Sequence, residues 1–165
     1  MKIRHSLFLV MAVIGTFSKA IAVDNTDTRL LWQPAISKTH IAFIYAEDLW
    51  VANRDGSNPR RITASEGQES NPVFSPDGSI IAFTGQYDGN SDVFVVPAAG
   101  GIPKRLTYHP GSDLVRDFSP DGKKVLFASG RNSFTSRYLQ LFTVDISSGS
   151  ELQLPIPNAF WASYS

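Results

Sequence analysis

The sequence predicts an all-β fold, a partial β-propeller of about three four-stranded antiparallel blades preceded by a signal peptide, and three observations carry that prediction. Phe74-Ser75-Pro76-Asp77-Gly78, followed by the apolar run Ile80-Ile81-Ala82-Phe83, returns 44 residues later as Phe118-Ser119-Pro120-Asp121-Gly122, followed by Val125-Leu126-Phe127. A period of that length is the spacing of a propeller blade. Ile62-Thr63 and Leu106-Thr107 are also 44 apart, and Phe43, Phe83 and Phe127 follow at intervals of 40 and 44. Finally, Tyr164-Ser165 falls 46 residues after Phe118-Ser119, where the next Pro-Asp-Gly is due. The sequence is therefore expected to be the N-terminal piece of a longer protein, holding about three of the roughly 4–8 blades of a closed ring.

Residues 1–22 read as an export signal: basic Met1-Lys2-Ile3-Arg4, an apolar stretch of 11 residues from Leu7 to Phe17, then Ala20-Ile21-Ala22, with cleavage expected after Ala22. That stretch falls well short of the roughly 20 residues that span a bilayer, so no membrane span is expected after cleavage. The mature chain keeps 12 basic against 15 acidic side chains, a net charge of about −3. This balance argues against a nucleic-acid surface, which needs clustered Lys and Arg. The absence of cysteine excludes disulfides and thiolate metal sites and fits an exported, periplasmic protein.

After a short polar lead, Val23 to Arg29, the propeller segment occupies 23–165. Blade 1 is expected over about 30–63, blade 2 over about 72–107, blade 3 over about 115–155, and the start of a blade 4 over about 160–165. In the second blade the strands fall at Val73–Ser75, Ile80–Gly85, Asp92–Pro97 and Lys104–Thr107, separated by turn signals. The middle strands are apolar at consecutive positions, as in Val93-Phe94-Val95-Val96, which suits strands covered on both faces. Leu49, Trp50, Phe94, Val95, Leu141 and Phe142 are expected to be buried.

Pro-Asp-Gly is turn chemistry: proline presets φ, Asp bonds forward to backbone amides and Gly accepts positive φ. Asp55-Gly56, Gly100-Gly101 and Ser148-Gly149 join third strands to fourth. Arg60-Arg61 and Lys104-Arg105 place charge on the outermost strands, where a free edge must avoid pairing with other chains. The first repeat is degenerate, with Pro34-Ala35-Ile36-Ser37 where Pro-Asp-Gly is due, and the third carries a longer polar loop from Ser129 to Tyr138.

No nucleophile constellation can be read: the mature chain has two histidines, His40 and His109, and no Gly-x-Ser-x-Gly elbow. No catalytic residue, cofactor or metal is expected. Asp88, Asn90 and Asp92 alternate like the opening of a calcium loop but lack its remaining ligands. Propeller connectivity places loops 86–91, 131–137, 66–71 and 108–113 on one side and first strands along the central channel. Tyr87, His109 and Arg131 on the loop side, with Arg116 and Asp117 toward the channel, are the candidate peptide contacts.

The run from Ala82 through Tyr87-Asp88-Gly89-Asn90-Ser91-Asp92 to Val96-Pro97, continued by Gly100-Gly101-Ile102-Pro103 and Tyr108-His109-Pro110-Gly111, resembles the first propeller of bacterial tricorn-like proteases. Glu47-Asp48-Leu49-Trp50 and Asp121-Gly122-Lys123-Lys124 extend the resemblance over most of the mature chain. It implies a large serine peptidase, often hexameric, whose catalytic Ser, His and Glu lie downstream of this segment. Its propellers are thought to admit or guide peptides, so the implied partners are peptides or unfolded polypeptide, the downstream domains, and further copies of the chain. The Pro-Asp-Gly repeat also resembles TolB, a periplasmic interaction scaffold, and prolyl-oligopeptidase propellers. Both alternatives stay open, although TolB places an α/β domain before its propeller and here only Val23 to Arg29 precedes the first strand.

Overall fold

The computed structural model describes residues 31–133 and 138–165. The expected export signal, the polar lead and Arg137 lie outside the described residues. The first sheet holds β1 (Leu31–Ile36), β2 (His40–Tyr45), β3 (Asp48–Asn53) and β4 (Arg60–Arg61). The second holds β5 (Gln68–Phe74), β6 (Ile80–Gln86), β7 (Ser91–Pro97) and β8 (Lys104–Arg105). The third holds β9 (Asp113–Phe118), β10 (Lys124–Ser129), β11 (Gln140–Asp145) and β12 (Glu151–Gln153). Each is an antiparallel meander in chain order, as in propeller blades.

The sheets stack through two cores. Ala42, Ile44, Leu49 and Val51 of the first sheet meet Ile81, Phe83, Phe94 and Val96 of the second. The second sheet's other face, Ala82, Val93 and Val95, meets Val115, Phe127, Phe142 and Val144 of the third. Because side chains alternate across a strand, a strand apolar at consecutive positions is buried throughout only when both faces are covered. Leu49, Phe94, Val95, Leu141 and Phe142 are buried as expected. Trp50 is only half-buried: its neighbour Leu49 takes the face toward the second sheet, and among the described residues no sheet lies against the other. Leu141 owes its burial to Leu154, Ala159 and Ala162, whose segment covers the outer face of the third sheet.

The two Pro-Asp-Gly turns are closed hydrogen-bond circuits. Asp77 Oδ1 accepts from the Ser75 hydroxyl at 2.6 Å and the Ser79 amide at 3.0 Å, while the Ser75 hydroxyl oxygen accepts from the Ile80 amide at 3.0 Å. Donation by Ser75 and then by Ser79 holds the Asp77 carboxyl down to about 2. Ser119, Asp121 and Lys124 repeat the circuit, and Gly78 and Gly122 supply φ of 75° and 69°.

In the first sheet the turn lies elsewhere than the sequence suggests. Pro34-Ala35-Ile36 belongs to β1, and Ser37 closes a shorter turn by accepting from the His40 amide at 3.0 Å. The second sheet's first strand opens at Gln68, ahead of Val73, because a bulge between Ser70 and Val73 interrupts the apolar pattern. β1 and β9 are bulged at the corresponding place. At the bulges, Gln33 Oε1 of β1 accepts from the Asn71 amide of β5 at 2.5 Å, joining the first strands of two sheets.

Candidate functional site

Of the basic pairs expected as solvated edge devices, the first member of each, Arg60 and Lys104, ties neighbouring sheets together. Arg60 donates to the carbonyls of Ala98 and Ala99 at 2.6 and 2.7 Å, and Lys104 to that of Ile146 at 2.6 Å, each reaching the β3–β4-type turn of the next sheet. Arg61 and Arg105 instead bind carboxylates of their own sheets, Asp48 at 2.8 Å and Asp92 at 2.6 Å. Both also bond the carbonyl two residues on.

A second tie was missed by sequence reasoning. Glu69, fully buried near the start of β5, accepts from the Leu49 amide at 2.8 Å, the Thr63 hydroxyl at 2.6 Å and the Tyr87 hydroxyl at 2.6 Å. At the next junction Asp113, also fully buried, is bound by Arg131 at 2.5 Å, while the Thr107 hydroxyl receives the Val93 amide at 3.0 Å. Leu49 and Val93, Thr63 and Thr107, and Glu69 and Asp113 are all 44 apart. The signal was therefore present in the period that revealed the repeat, hidden by the change from Glu to Asp. Burial pushes both carboxyls up. At Asp113 the hydroxyls of Ser129 and Thr107 and the Arg131 charge oppose that rise.

The five candidate contacts fall into three places. Tyr87 belongs to the Glu69 clasp, packed edge-on against Phe94 at 4.8 Å, and burial and then the Glu69 bond push its phenol well above the usual range. His109 and Arg131 come together in an open groove of about 610 Å3, lined also by Lys104, Arg105, Tyr108 and Glu151. His109 Nδ1 accepts from the Gly111 amide at 2.9 Å. Arg131 is bonded to Asp113 and Glu151 and lies over the rings of Phe127 and Phe142 at 5.2 and 5.0 Å. Arg105 lies over the exposed Tyr108 ring at 4.7 Å.

Arg116 and Asp117 sit together on β9. Arg116 is buried, which lowers its affinity for a proton, and its Nε donates to the Phe160 carbonyl at 2.7 Å. Its guanidinium lies over the rings of Phe160 and Trp161 at 5.1 and 4.6 Å. Asp117 Oδ2 accepts from the Tyr164 amide at 2.8 Å. The pair thus holds main-chain groups of the segment Ala159–Tyr164. The Ala159 amide donates to the Leu139 carbonyl at 3.0 Å, as the Glu69 amide does to Glu47 at 2.9 Å. Ala159 therefore stands at the position of Glu69 and Asp113, without a carboxyl. Among the described residues no group of three or more His, Cys, Asp or Glu could hold a metal ion.

A family model described as the tricorn protease N-terminal beta propeller domain matches residues 28–165. A protein TolB homolog of Chlorobium luteolum is 36% identical over 58 residues, 35% of this chain and 13% of that protein. Tricorn protease homolog 1 of Streptomyces coelicolor is 37% identical over 57 residues, 34% of this chain and 5% of its own. Among solved structures, the tricorn protease aligns with a TM-score of 0.67 at 25% identity, over 81% of this chain and 14% of that one. TolB from Acinetobacter baumannii aligns at 0.65 and 26% identity, over 76% and 32%. The matched stretches are thus a small part of these relatives' length.

Proposed function

The chain belongs to the tricorn protease N-terminal beta propeller domain family, and from that membership we propose that it is the non-catalytic N-terminal propeller segment of an exported, periplasmic, tricorn-type serine peptidase. In this reading it admits and guides peptide or unfolded polypeptide and helps assemble the particle, while proteolysis belongs to further domains of the whole protein. The observation that carries the reading is how β9 holds main-chain groups of a segment outside any strand: Arg116 binds a carbonyl and Asp117 an amide of the segment Ala159–Tyr164. Main-chain carbonyls and amides are common to all peptides, so these two bonds do not select sequence, while the Arg116 guanidinium over Phe160 and Trp161 favours aromatic side chains. The tripartite signal over 1–22 supports export.

The test measures binding and turnover together. Purified chain titrated into a fluorescently labelled, unstructured polypeptide should give saturable anisotropy, and a panel of fluorogenic peptides should not be cleaved. Turnover that follows the protein and vanishes on substitution of one of its own serines would overturn the reading, as would absence of any polypeptide binding. The TolB relatives favour a second reading, a scaffold for folded protein partners. Under it, binding is kept by a folded partner and absent with unstructured chains.

A further inference from the structure

The junction between the first and second sheets is closed by a buried carboxyl whose hydrogen-bond partners carry no formal charge. Glu69 Oε2 takes the Leu49 amide and the Thr63 hydroxyl, its Oε1 takes the Tyr87 hydroxyl, and its own amide donates to the Glu47 carbonyl. Leu49 and Glu47 belong to the first sheet and its β2–β3 turn, and Thr63 follows β4. One side chain therefore spans the junction.

The charged and titratable groups around it do not neutralise it. Asp48 of β3 raises the Glu69 carboxyl further. Arg61 of β4 is engaged by Asp48 at 2.8 Å and by the Thr63 carbonyl at 2.7 Å. Glu47 is bonded by the Gln68 amide group at 2.8 Å. From the second sheet the titratable neighbour is Tyr87, whose phenol stays protonated. At the equivalent junction between the second and third sheets, Asp113 has the Arg131 guanidinium at 2.5 Å.

We propose that the junction between the first two sheets is an acid-closed latch with Glu69 as its titrating element. In its neutral form the carboxyl keeps Oε2 as acceptor for Leu49 and Thr63 and can donate from Oε1 to the Tyr87 oxygen. Ionised, it places a negative charge in a dry site beside another carboxylate. The sign follows from linkage: burial raises Glu69 above its ordinary 4.5 in the closed state, so the closed junction binds the proton more tightly than the opened one. Its contribution is complete below that ordinary value and is lost as pH rises through the raised one. The first sheet then opens locally from the second while the rest of the stack stays folded.

Hydrogen exchange of the Leu49 amide, followed by NMR and corrected for intrinsic chemistry, reads the latch. Between about pH 4.5 and 8 the opening constant at Leu49 should rise by about tenfold or more in the wild-type chain, because ionising Glu69 weakens the closed junction and leaves the opened one unaffected. In Glu69→Gln it should change by less than about twofold, because the amide keeps the acceptor and donor of the neutral acid without titrating. The Val93 amide, at the second junction, should behave alike in both proteins. Tyr87→Phe removes one donor to the carboxylate and should move the Leu49 transition to higher pH, which decides the matter if Glu69→Gln does not fold. A Leu49 opening constant independent of pH, or a wild-type pH dependence surviving in Glu69→Gln, or a transition shifted downward in Tyr87→Phe, would overturn the latch.

Discussion

Phe43, Phe83 and Phe127 occupy the same place in the repeat, yet truncating them should have very different costs. Phe127 is fully buried between the second and third sheets, stacked on Phe142 at 5.5 Å and 22°, with the Arg131 guanidinium 5.2 Å above its ring. Its strand is held by β9 on one side and β11 on the other, so the walls of a cavity there have little freedom to collapse. Phe127→Ala should cost about 3–5 kcal/mol, the range for a large aromatic removed from a rigid core. Phe83, stacked on Phe94 at 5.7 Å and fully buried between the first two sheets, belongs to the same class. Phe43 faces away from the second sheet and is only half-buried, so Phe43→Ala should cost about 1 kcal/mol, in proportion to the smaller area taken from water. Urea unfolding followed by far-UV circular dichroism separates the cases. With a slope of about 2 kcal/mol per M, Phe127→Ala should lower the midpoint by about 2 M and Phe43→Ala by about 0.5 M. Equal shifts for the two, or a larger one for Phe43, would refute the stacking order that assigns Phe127 to a covered face and Phe43 to an uncovered one.

Arg131→Met leaves the fully buried Asp113 carboxylate without its cation, and loss of about 3–5 kcal/mol is expected in the same urea assay; Asp113→Asn in the Arg131→Met background should recover part of it. The pH profile of the thermal midpoint should peak on the acid side of neutral. Glu69, Asp92 and Asp113 are all raised, chiefly by burial, so their contribution is complete below the ordinary carboxyl range and is lost as pH rises. Asp77, Asp121 and Asp145 are lowered by hydrogen bonds in their turns, so theirs is present above that range and lost as pH falls, for Asp77 through about 2. Differential scanning fluorimetry across buffers reads this directly, and a midpoint rising steadily from pH 5 to 8 would contradict it.

The repeat, the strand order and the turn chemistry were legible in the sequence because they are local. A blade is a meander of neighbouring strands, and Ser75, Asp77 and Gly78 make their bonds within six residues. Chemistry between blades was not legible, because the partners lie on other strands and turns: about one period away for Arg60 and Lys104, and 6, 18 and 20 residues away for Glu69. Arg60 and Lys104 look like solvated edge charges until the next sheet brings carbonyls to them. Glu69 looks like a loop acid until Leu49, Thr63 and Tyr87 converge on it. The five candidate residues Tyr87, His109, Arg116, Asp117 and Arg131 all carry contact chemistry, and the fold divides them among a junction clasp, a groove and a first strand. What the sequence determined by itself is the unit and its period, since alternation and turn geometry act over a few residues. Only the tertiary structure decided which face of each strand is covered, because those faces meet after the chain has travelled about a full blade, and which charges are paired, because the partners, such as Arg131 and Asp113, come from separate segments that the fold brings together.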